Sequence, residues 1–331
     1  MTGDIIHETQ KPSRRRKWLL RVGQVIVLGL IAYFWGRSLW SSWSDLSSYQ
    51  WRFNAGYLAA SLVLLLIHIY LLAQIWRWTL GKLGLRRPWV ETTRIWALSQ
   101  IARYLPGGVW DVAGRLVLAS RAGYSRSIVS VSILLEMVLQ TVSAIIIFLV
   151  SLLFWQDATI ARTALWAIPL IPAGLVALHP RFLNTILGLA ARLMKADFKP
   201  VPLRYRDVFS LLSLHLLARM MIGSGFYLFA LAVYPWNLAG WPVSVGVFAA
   251  AWVIGFLVVF VPMGLGVREG VMTLLLGAYL PVAPATVITI GFRIWIALRD
   301  IIFAGLGWLL NMRRDRSDDQ ETGRFDSDLI Q

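Results

Sequence analysis

Hydrophobic residues make up 58% of the 331-residue chain and charged residues only 15%, whereas soluble globular domains are roughly half apolar and a quarter charged. This composition excludes an ordinary soluble domain and predicts an all-α polytopic membrane protein. The absence of cysteine excludes disulfides, thiolate nucleophiles and cysteine metal sites. A formal net charge of +15 would suit a nucleic-acid partner, but the positions of the basic residues indicate a membrane topology instead.

Six apolar segments are candidate membrane-spanning helices, because a helix of about 20 apolar residues crosses the hydrocarbon core of a bilayer. They are residues 18–35, 57–76, 127–154, 163–178, 208–233 and 285–310. These segments belong to one membrane domain, 18–310. A basic tail, 1–17, precedes it, and a polar tail, 311–331, follows it and is predicted to be disordered.

Two further apolar regions, 95–122 and 243–281, are each interrupted by proline and glycine. The interrupting residues are Pro106, Gly107 and Gly108 in the first region and Pro262, Gly264 and Gly266 in the second. Non-helical backbone at membrane depth must be buried in protein or line a wet cavity, since its amides cannot face lipid. We therefore predict two broken or re-entrant hairpins, each entering and leaving by the same side. If each region instead crossed the membrane twice, the other segments would keep the same topology.

On this topology the basic residues of the tails and loops lie mostly on one side of the membrane. Most Lys and Arg residues fall in tails and loops on one side, and only Arg37, Arg52 and Arg162 fall on the other. Because an excess of Lys and Arg marks the cytoplasmic side, both termini are predicted to be cytoplasmic in a bacterial inner membrane. The positive charge is thus mostly a topology signal, and no nucleic-acid partner is expected. The arginines left at apparent membrane depth are Arg103, Arg219, Arg268, Arg293 and Arg299.

The two interrupted regions resemble one another. YLPGGVWDVAGR (104–115) and FVPMGLGVREG (260–270) both run from an aromatic residue through proline and glycine to charge. Glu136 follows Pro106 by 30 residues, and Arg293 follows Pro262 by 31 residues. The units are predicted to cover about 57–154 and 208–310. Three crossings between them would invert the second unit, and inverted repeats around discontinuous helices are typical of transporters.

The second motif resembles a known family. VPMGLGVREG is similar to the PGGLGxRE signature of the lysylphosphatidylglycerol synthase transmembrane region, also called the flippase-like domain family. The resemblance covers roughly residues 15–310. In that family the membrane domain is linked to moving lipids between leaflets, and the lysine-attaching enzyme is a separate C-terminal soluble domain. The resemblance therefore implies the flippase-like part without the synthase domain.

Three features of the sequence depart from the family pattern. The first hairpin has Asp111 and Arg115 where the family has a Gly-Glu pair followed by a basic residue. Met137 follows Glu136 where arginine is usual, and Met263 replaces a glycine in the second motif. These differences bear on the substrate more than on the fold.

Arg268 and Glu269 are the most unusual pair, because charged side chains at the bilayer centre cost about 2.5–3.5 kcal/mol each. As neighbours on a helix they project about 100° apart, so each is predicted to find a different partner. One interpretation is a lipid-headgroup site, in which Arg268 and the amides at the start of the next helix bind phosphate. The alternative is a structural salt-bridge network that locks the hairpin.

Other charged residues complete the candidate substrate-binding set. Glu136, on a polar helix face, is predicted to lie opposite Arg293 or Arg219. Such a pair either supports the bundle, or holds a cationic headgroup or a coupling proton. The whole set is Arg268, Glu269, Arg293, Glu136, Arg219, Asp111 and Arg115.

The predicted function is translocation of a phosphate-bearing lipid or lipid-linked headgroup, with arginines attracting phosphate and glutamates balancing them and selecting an amine or hydroxyl. No phosphate loop, HExxH or GxSxG motif occurs, so no catalytic residue, cofactor or metal is expected. Two alternatives stay open. One is a membrane-embedded lipid-modifying or glycolipid-modifying enzyme, and the other is a scaffold partner of envelope glycosyltransferases.

Overall fold

The computed structural model describes residues 53–104, 110–156, 179–193, 203–258 and 266–328, together with the single residues 169 and 172. The predicted span 18–35 lies outside the described residues, as does 163–178 except for those two positions. Five of the predicted break residues also lie outside them: Pro106, Gly107, Gly108, Pro262 and Gly264.

Across these ranges the chain forms nine α-helices and no strand. The helices are α1 (Ala55–Lys82), α2 (Trp89–Ala102), α3 (Trp110–Arg121), α4 (Arg126–Ser151), α5 (Pro180–Leu193), α6 (Tyr205–Val233), α7 (Gly240–Leu257), α8 (Val267–Leu276) and α9 (Val282–Asp328). A short 3₁₀ turn, Leu152–Phe154, extends α4. The all-α architecture predicted from composition is confirmed.

Four of the described helices are long and apolar enough to cross a membrane: α1, α4 with its 3₁₀ turn, α6 and α7. Three of them coincide with the predicted spans 57–76, 127–154 and 208–233, which confirms a polytopic membrane protein. The predicted span 285–310 lies within α9. That helix continues as far as Asp328, within the tail for which the sequence predicts disorder.

The two interrupted regions each form a pair of packed helices. α2 and α3, with 14 and 12 residues, span only about 20 Å each and are too short to cross the bilayer separately, as a re-entrant hairpin requires. In the second region α8 has ten residues, but α7 has 18 and is long enough to cross. Both α1–α4 and α6–α9 thus consist of a long helix, an interrupted pair of helices and a second long helix. The inversion of one unit relative to the other stays a prediction.

The first helices of the two units, α1 and α6, lie antiparallel. The backbone N–H of Asn54, which caps α1, donates to the carbonyl of Ala232 at the end of α6 (3.0 Å). At the other end of the pair, Lys82 binds Asp207 at 2.5 Å. Between them the Ser61 hydroxyl donates to the carbonyl of Gly225 (2.7 Å), where small side chains let the helices approach closely. This contact joins the two units.

Aromatic side chains fill the core of the second unit. Phe226 of α6, Phe248 of α7 and Phe292 of α9 meet with ring centroids 4.9 to 5.9 Å apart. A separate apolar cluster around Trp76 and Trp96 joins α1, α2, α3 and α4. Arg115 of α3 lies over the rings of Trp76 and Trp96 in the second of these clusters.

Gly246 of α7 faces α4 so closely that an added Cβ would overlap the side chain of Ser151. We expect Gly246→Ala to lower the free energy of unfolding by about 1–3 kcal/mol, because overpacking a closely packed contact forces the helices apart. Thermal unfolding in detergent measures the effect. Gly305→Ala is the matched control, since a Cβ there meets no atom within 4 Å; equal melting temperatures for both variants would contradict the close α4–α7 contact.

Candidate functional site

A buried ion pair connects α3 and α4 in the first unit. Arg115 Nη1 lies 2.6 Å from Glu136 Oε2, and both side chains are almost fully buried. The other carboxylate oxygen, Oε1, accepts from Gln140 Nε2 at 3.0 Å. The guanidinium also lies over the rings of Trp76 and Trp96, 5.4 and 5.1 Å from their centroids. Both oxygens of Glu136 are therefore occupied within the protein.

This pairing corrects the sequence-based expectation that Glu136 faces Arg293 or Arg219. The helical stripe identified the correct face of α4, but α3 folds back onto that face and brings Arg115 to it. Arg219 instead donates from Nη2 to the backbone carbonyl of Gln140 (3.2 Å), one turn further along α4.

The second unit contains an equivalent pair between α8 and α9. Glu269 Oε1 lies 2.6 Å from Arg293 Nη1, and Glu269 is 2% exposed. Its other oxygen, Oε2, accepts from the backbone N–H of Gly266 (2.7 Å) and so caps the start of α8. Gly266 has a φ of 80°, a left-handed conformation that favours glycine. Glu269 thus pairs with a residue other than its neighbour Arg268, as their adjacency on a helix predicts.

The two ion pairs occupy matching positions with their charges exchanged. In the first unit the helix after the break supplies the cation, Arg115, and the next helix supplies the anion, Glu136. In the second unit Glu269 and Arg293 take the opposite roles. Each pair ties the short helix after a break to the long helix that follows it.

Arg219 and Arg268 form a different arrangement around Trp252 of α7. The guanidinium carbon of Arg219 lies 4.3 Å from the Trp252 ring centroid, and that of Arg268 lies 5.8 Å from it. Neither arginine has a carboxylate within salt-bridge distance among the described residues. Within the same ranges Arg268 makes no hydrogen bond, and its buried Nε has no partner. Among the described residues, the direct contacts of the two guanidinium groups are an aromatic face and, for Arg219, one carbonyl.

The backbone of α7 leaves room for Arg268. A Cβ added to Gly255 would overlap the side chain of Arg268, so a glycine is required where the arginine crosses the helix. His215, one turn before Arg219 on α6, is 2% exposed, and neither ring nitrogen has a partner in the described part of the chain. Together these four residues, His215, Arg219, Trp252 and Arg268, define what we call the arginine site.

A third charged cluster joins α1, α2 and α9. Asp300 is fully buried and accepts from Arg299 Nε and Nη2 at 2.9 and 2.6 Å. Its second oxygen accepts from Tyr104 Oη at 2.8 Å and from Arg103 Nη1 at 3.4 Å. Arg299 Nη1 also lies 3.4 Å from His68 Nδ1. The carboxylate is saturated, and it fixes the end of α2 against α9.

Asp111 lies apart from these clusters. It is partly exposed in the first turn of α3, where its Oδ1 accepts from the backbone N–H of Val112 (2.8 Å). It shares no salt bridge with the described residues. Of the predicted hinge residues, only Gly266 is described, and it is the point where the backbone turns into α8.

The structure adds two aromatic residues that sequence reasoning missed. Trp96 lies ten residues before Pro106, and Trp252 lies ten residues before Pro262. Each contacts an arginine from the helix after its own break, Arg115 or Arg268. The equal spacing was a detectable signal. No group of three metal-ligating side chains occurs in the described part of the chain.

The family model of the lysylphosphatidylglycerol synthase transmembrane region matches residues 20–300. This match covers most of the chain, and the protein belongs to that family of lipid-related membrane proteins. A search of curated proteins found no match to the chain.

Proposed function

We propose that the chain translocates a phosphate-bearing lipid or lipid-linked headgroup across the bacterial inner membrane, and that the arginine site binds the phosphate. The observation that carries the proposal is the pair of neighbouring arginines, Arg219 and Arg268, on Trp252 without a carboxylate partner among the described residues. Two like charges held together at membrane depth are costly. A phosphate anion between them would remove that cost, because guanidinium groups bind phosphate through two parallel hydrogen bonds.

In this proposal the glutamates have a structural role. Both oxygens of Glu136 and of Glu269 are bound by groups of the protein, so neither is free to select an amine as the sequence suggested. They hold the short helices α3 and α8 against α4 and α9. Arg293 is 23% exposed at its side chain and retains N–H groups that can approach a headgroup beside Arg268.

Transport requires that the site open to each side in turn. We propose that one unit rocks against the other and that the breaks near Pro106 and Pro262 act as hinges. The units meet along several helix pairs, among them the antiparallel α1–α6 pair, α4 with α7, and α2 with α9. No catalytic step is proposed. The partners we propose are membrane lipids, and an enzyme that modifies lipids or transfers sugars would supply or consume the substrate.

Reconstituted vesicles test the proposal. A fluorescent lipid with an anionic phosphate headgroup is incorporated in both leaflets, and a membrane-impermeant reductant quenches the outer one. The proposal predicts a further protein-dependent phase of quenching whose amplitude rises with the fraction of vesicles that contain protein. Quenching that stops at the outer leaflet with folded protein would contradict translocation and favour an enzyme or a scaffold.

Orientation is tested with single cysteines, because the chain contains none of its own. Tyr205 is the first residue of α6 and Leu238 lies five residues after its last; they are 56% and 80% exposed. With both termini cytoplasmic, we expect Leu238→Cys to react with an impermeant maleimide added to whole spheroplasts and Tyr205→Cys to react only after lysis. The reverse pattern would overturn the proposed orientation, and labelling of both from outside would overturn the α6 crossing.

A further inference from the structure

We infer that the arginine site selects lipids whose headgroup is an anionic phosphate without an ammonium group, with a phosphomonoester preferred. This inference rests on the proposed function and specifies its substrate class. It depends on where the carboxylates of the apolar segments are used, on the two arginines that form no salt bridge with the described residues, and on the surroundings of Trp252.

The apolar segments contain four carboxylates: Asp111, Glu136, Glu269 and Asp300. An ammonium group at membrane depth needs such an anion, because a charge buried without a partner is strongly unfavourable. Glu136, Glu269 and Asp300 each have both oxygens bound by side chains or backbone of the protein and are paired with an arginine. The negative charge of each of these three is therefore already compensated by an arginine, so that an ammonium would compete with a buried ion pair for it.

Asp111 is the remaining carboxylate, and it lies on a different part of the bundle. Its helix, α3, packs on α2 and α4, whereas Arg219 and Arg268 are carried by α6 and α8 around α7. The carboxylate is bound to the first turn of α3, where the helix dipole stabilises its negative charge. The arginine site therefore contains two cations and no anion from the described residues.

The electrostatics of this site favour a doubly charged phosphate. A phosphomonoester carries about −1.5 to −2 charges at neutral pH, which matches two guanidinium groups, whereas a phosphodiester carries one. An ammonium group on the same headgroup would be repelled by both arginines at short range. A cation–π contact between Trp252 and an ammonium group is also blocked. Arg219 lies over the Trp252 ring, which is stacked on Phe256 with a centroid distance of 5.3 Å.

The test compares four acyl-labelled lipids in the same vesicles at pH 7.5: phosphatidic acid, phosphatidylglycerol, phosphatidylethanolamine and lysylphosphatidylglycerol. Protein-free vesicles give the spontaneous rate for each. We expect the protein-dependent initial rate for phosphatidic acid to exceed that for the two amine-bearing lipids by about tenfold or more, since one charge-assisted hydrogen bond has an effect of this size. Phosphatidylglycerol should be intermediate.

Two variants connect the selectivity to the site. Arg219→Gln should reduce the preference for phosphatidic acid by about tenfold. Arg206→Gln, which removes the same charge from an exposed position on the same helix, should leave it unchanged. Retained selectivity in Arg219→Gln would overturn the assignment to the arginine site.

The outcomes separate this inference from the proposed function. Equal rates for all four lipids, or faster transport of the amine-bearing lipids, would overturn the inference while translocation stands. If no lipid moves, the proposed function fails and the inference fails with it. A parallel assay with radiolabelled inorganic phosphate distinguishes the source of the anion, because uptake of free phosphate without lipid movement would overturn a lipid substrate.

Discussion

Replacing Arg268 by alanine is expected to lower the initial rate of lipid translocation by about 10- to 100-fold. A hydrogen bond between charged groups contributes about 1.5–3 kcal/mol, and each 1.36 kcal/mol corresponds to a factor of ten. Arg268 has no acidic partner in the described part of the chain, so its removal leaves no carboxylate unpaired. We therefore expect the free energy of unfolding to stay the same or to increase, because a costly buried charge is lost.

This combination of lost transport and retained stability distinguishes a binding residue from a structural one. Arg293→Ala is the contrasting variant, since it leaves the buried carboxylate of Glu269 without its cation and should lower stability as well as transport. Rates are measured by outer-leaflet quenching and stability by thermal unfolding in detergent. An Arg268→Ala protein that transports at the wild-type rate would remove Arg268 from the site, and one that unfolds would make it part of the architecture.

The largest expected effect on stability is that of Asp300→Asn, at about 3–5 kcal/mol of lost unfolding free energy. The carboxylate is fully buried and binds Arg299, Arg103 and Tyr104. Removing one member of a buried ion pair leaves an uncompensated charge in a low-dielectric interior. Denaturation by SDS in mixed micelles gives the free energy of unfolding.

Asp207→Asn is the matched control for this measurement. Asp207 also pairs with a cation, Lys82, but at the surface, where the two side chains are 18% and 45% exposed. Exposed pairs contribute about 0–1 kcal/mol, so the control should lose little stability. A loss for Asp300→Asn no larger than that of Asp207→Asn would show that the α2–α9 cluster does not hold the bundle together.

The sequence was sufficient for the all-α membrane class and for naming the residues of the candidate site. Continuous apolar segments identify α1, α4 and α6, because a backbone that crosses lipid must satisfy its own hydrogen bonds and a helix does so. Charges in apolar surroundings stand out for the same reason, so Arg219, Arg268 and Glu269 were identifiable before their contacts were known. That Glu269 pairs with a residue other than Arg268 also followed from helix geometry.

The partners themselves could not be predicted. A helical stripe gives the face on which Glu136 lies but not which helix covers that face, and Arg115 of α3 covers it instead of Arg293 or Arg219. The contacts of Trp252 with two arginines also could not be predicted, since tryptophan in a membrane protein is most often an interfacial residue. Its importance comes from contacts with arginines on two other helices, α6 and α8, which only the fold brings together.

The most direct test of the phosphate site compares the wild-type chain with an Arg219→Gln/Arg268→Gln double variant in vesicles containing fluorescent phosphatidic acid. Both proteins should be reconstituted at equal density and show comparable melting temperatures. We expect rapid protein-dependent movement of lipid by the wild-type chain and a rate close to that of protein-free vesicles for the double variant. Equal, rapid movement by both proteins would contradict a phosphate site at Trp252.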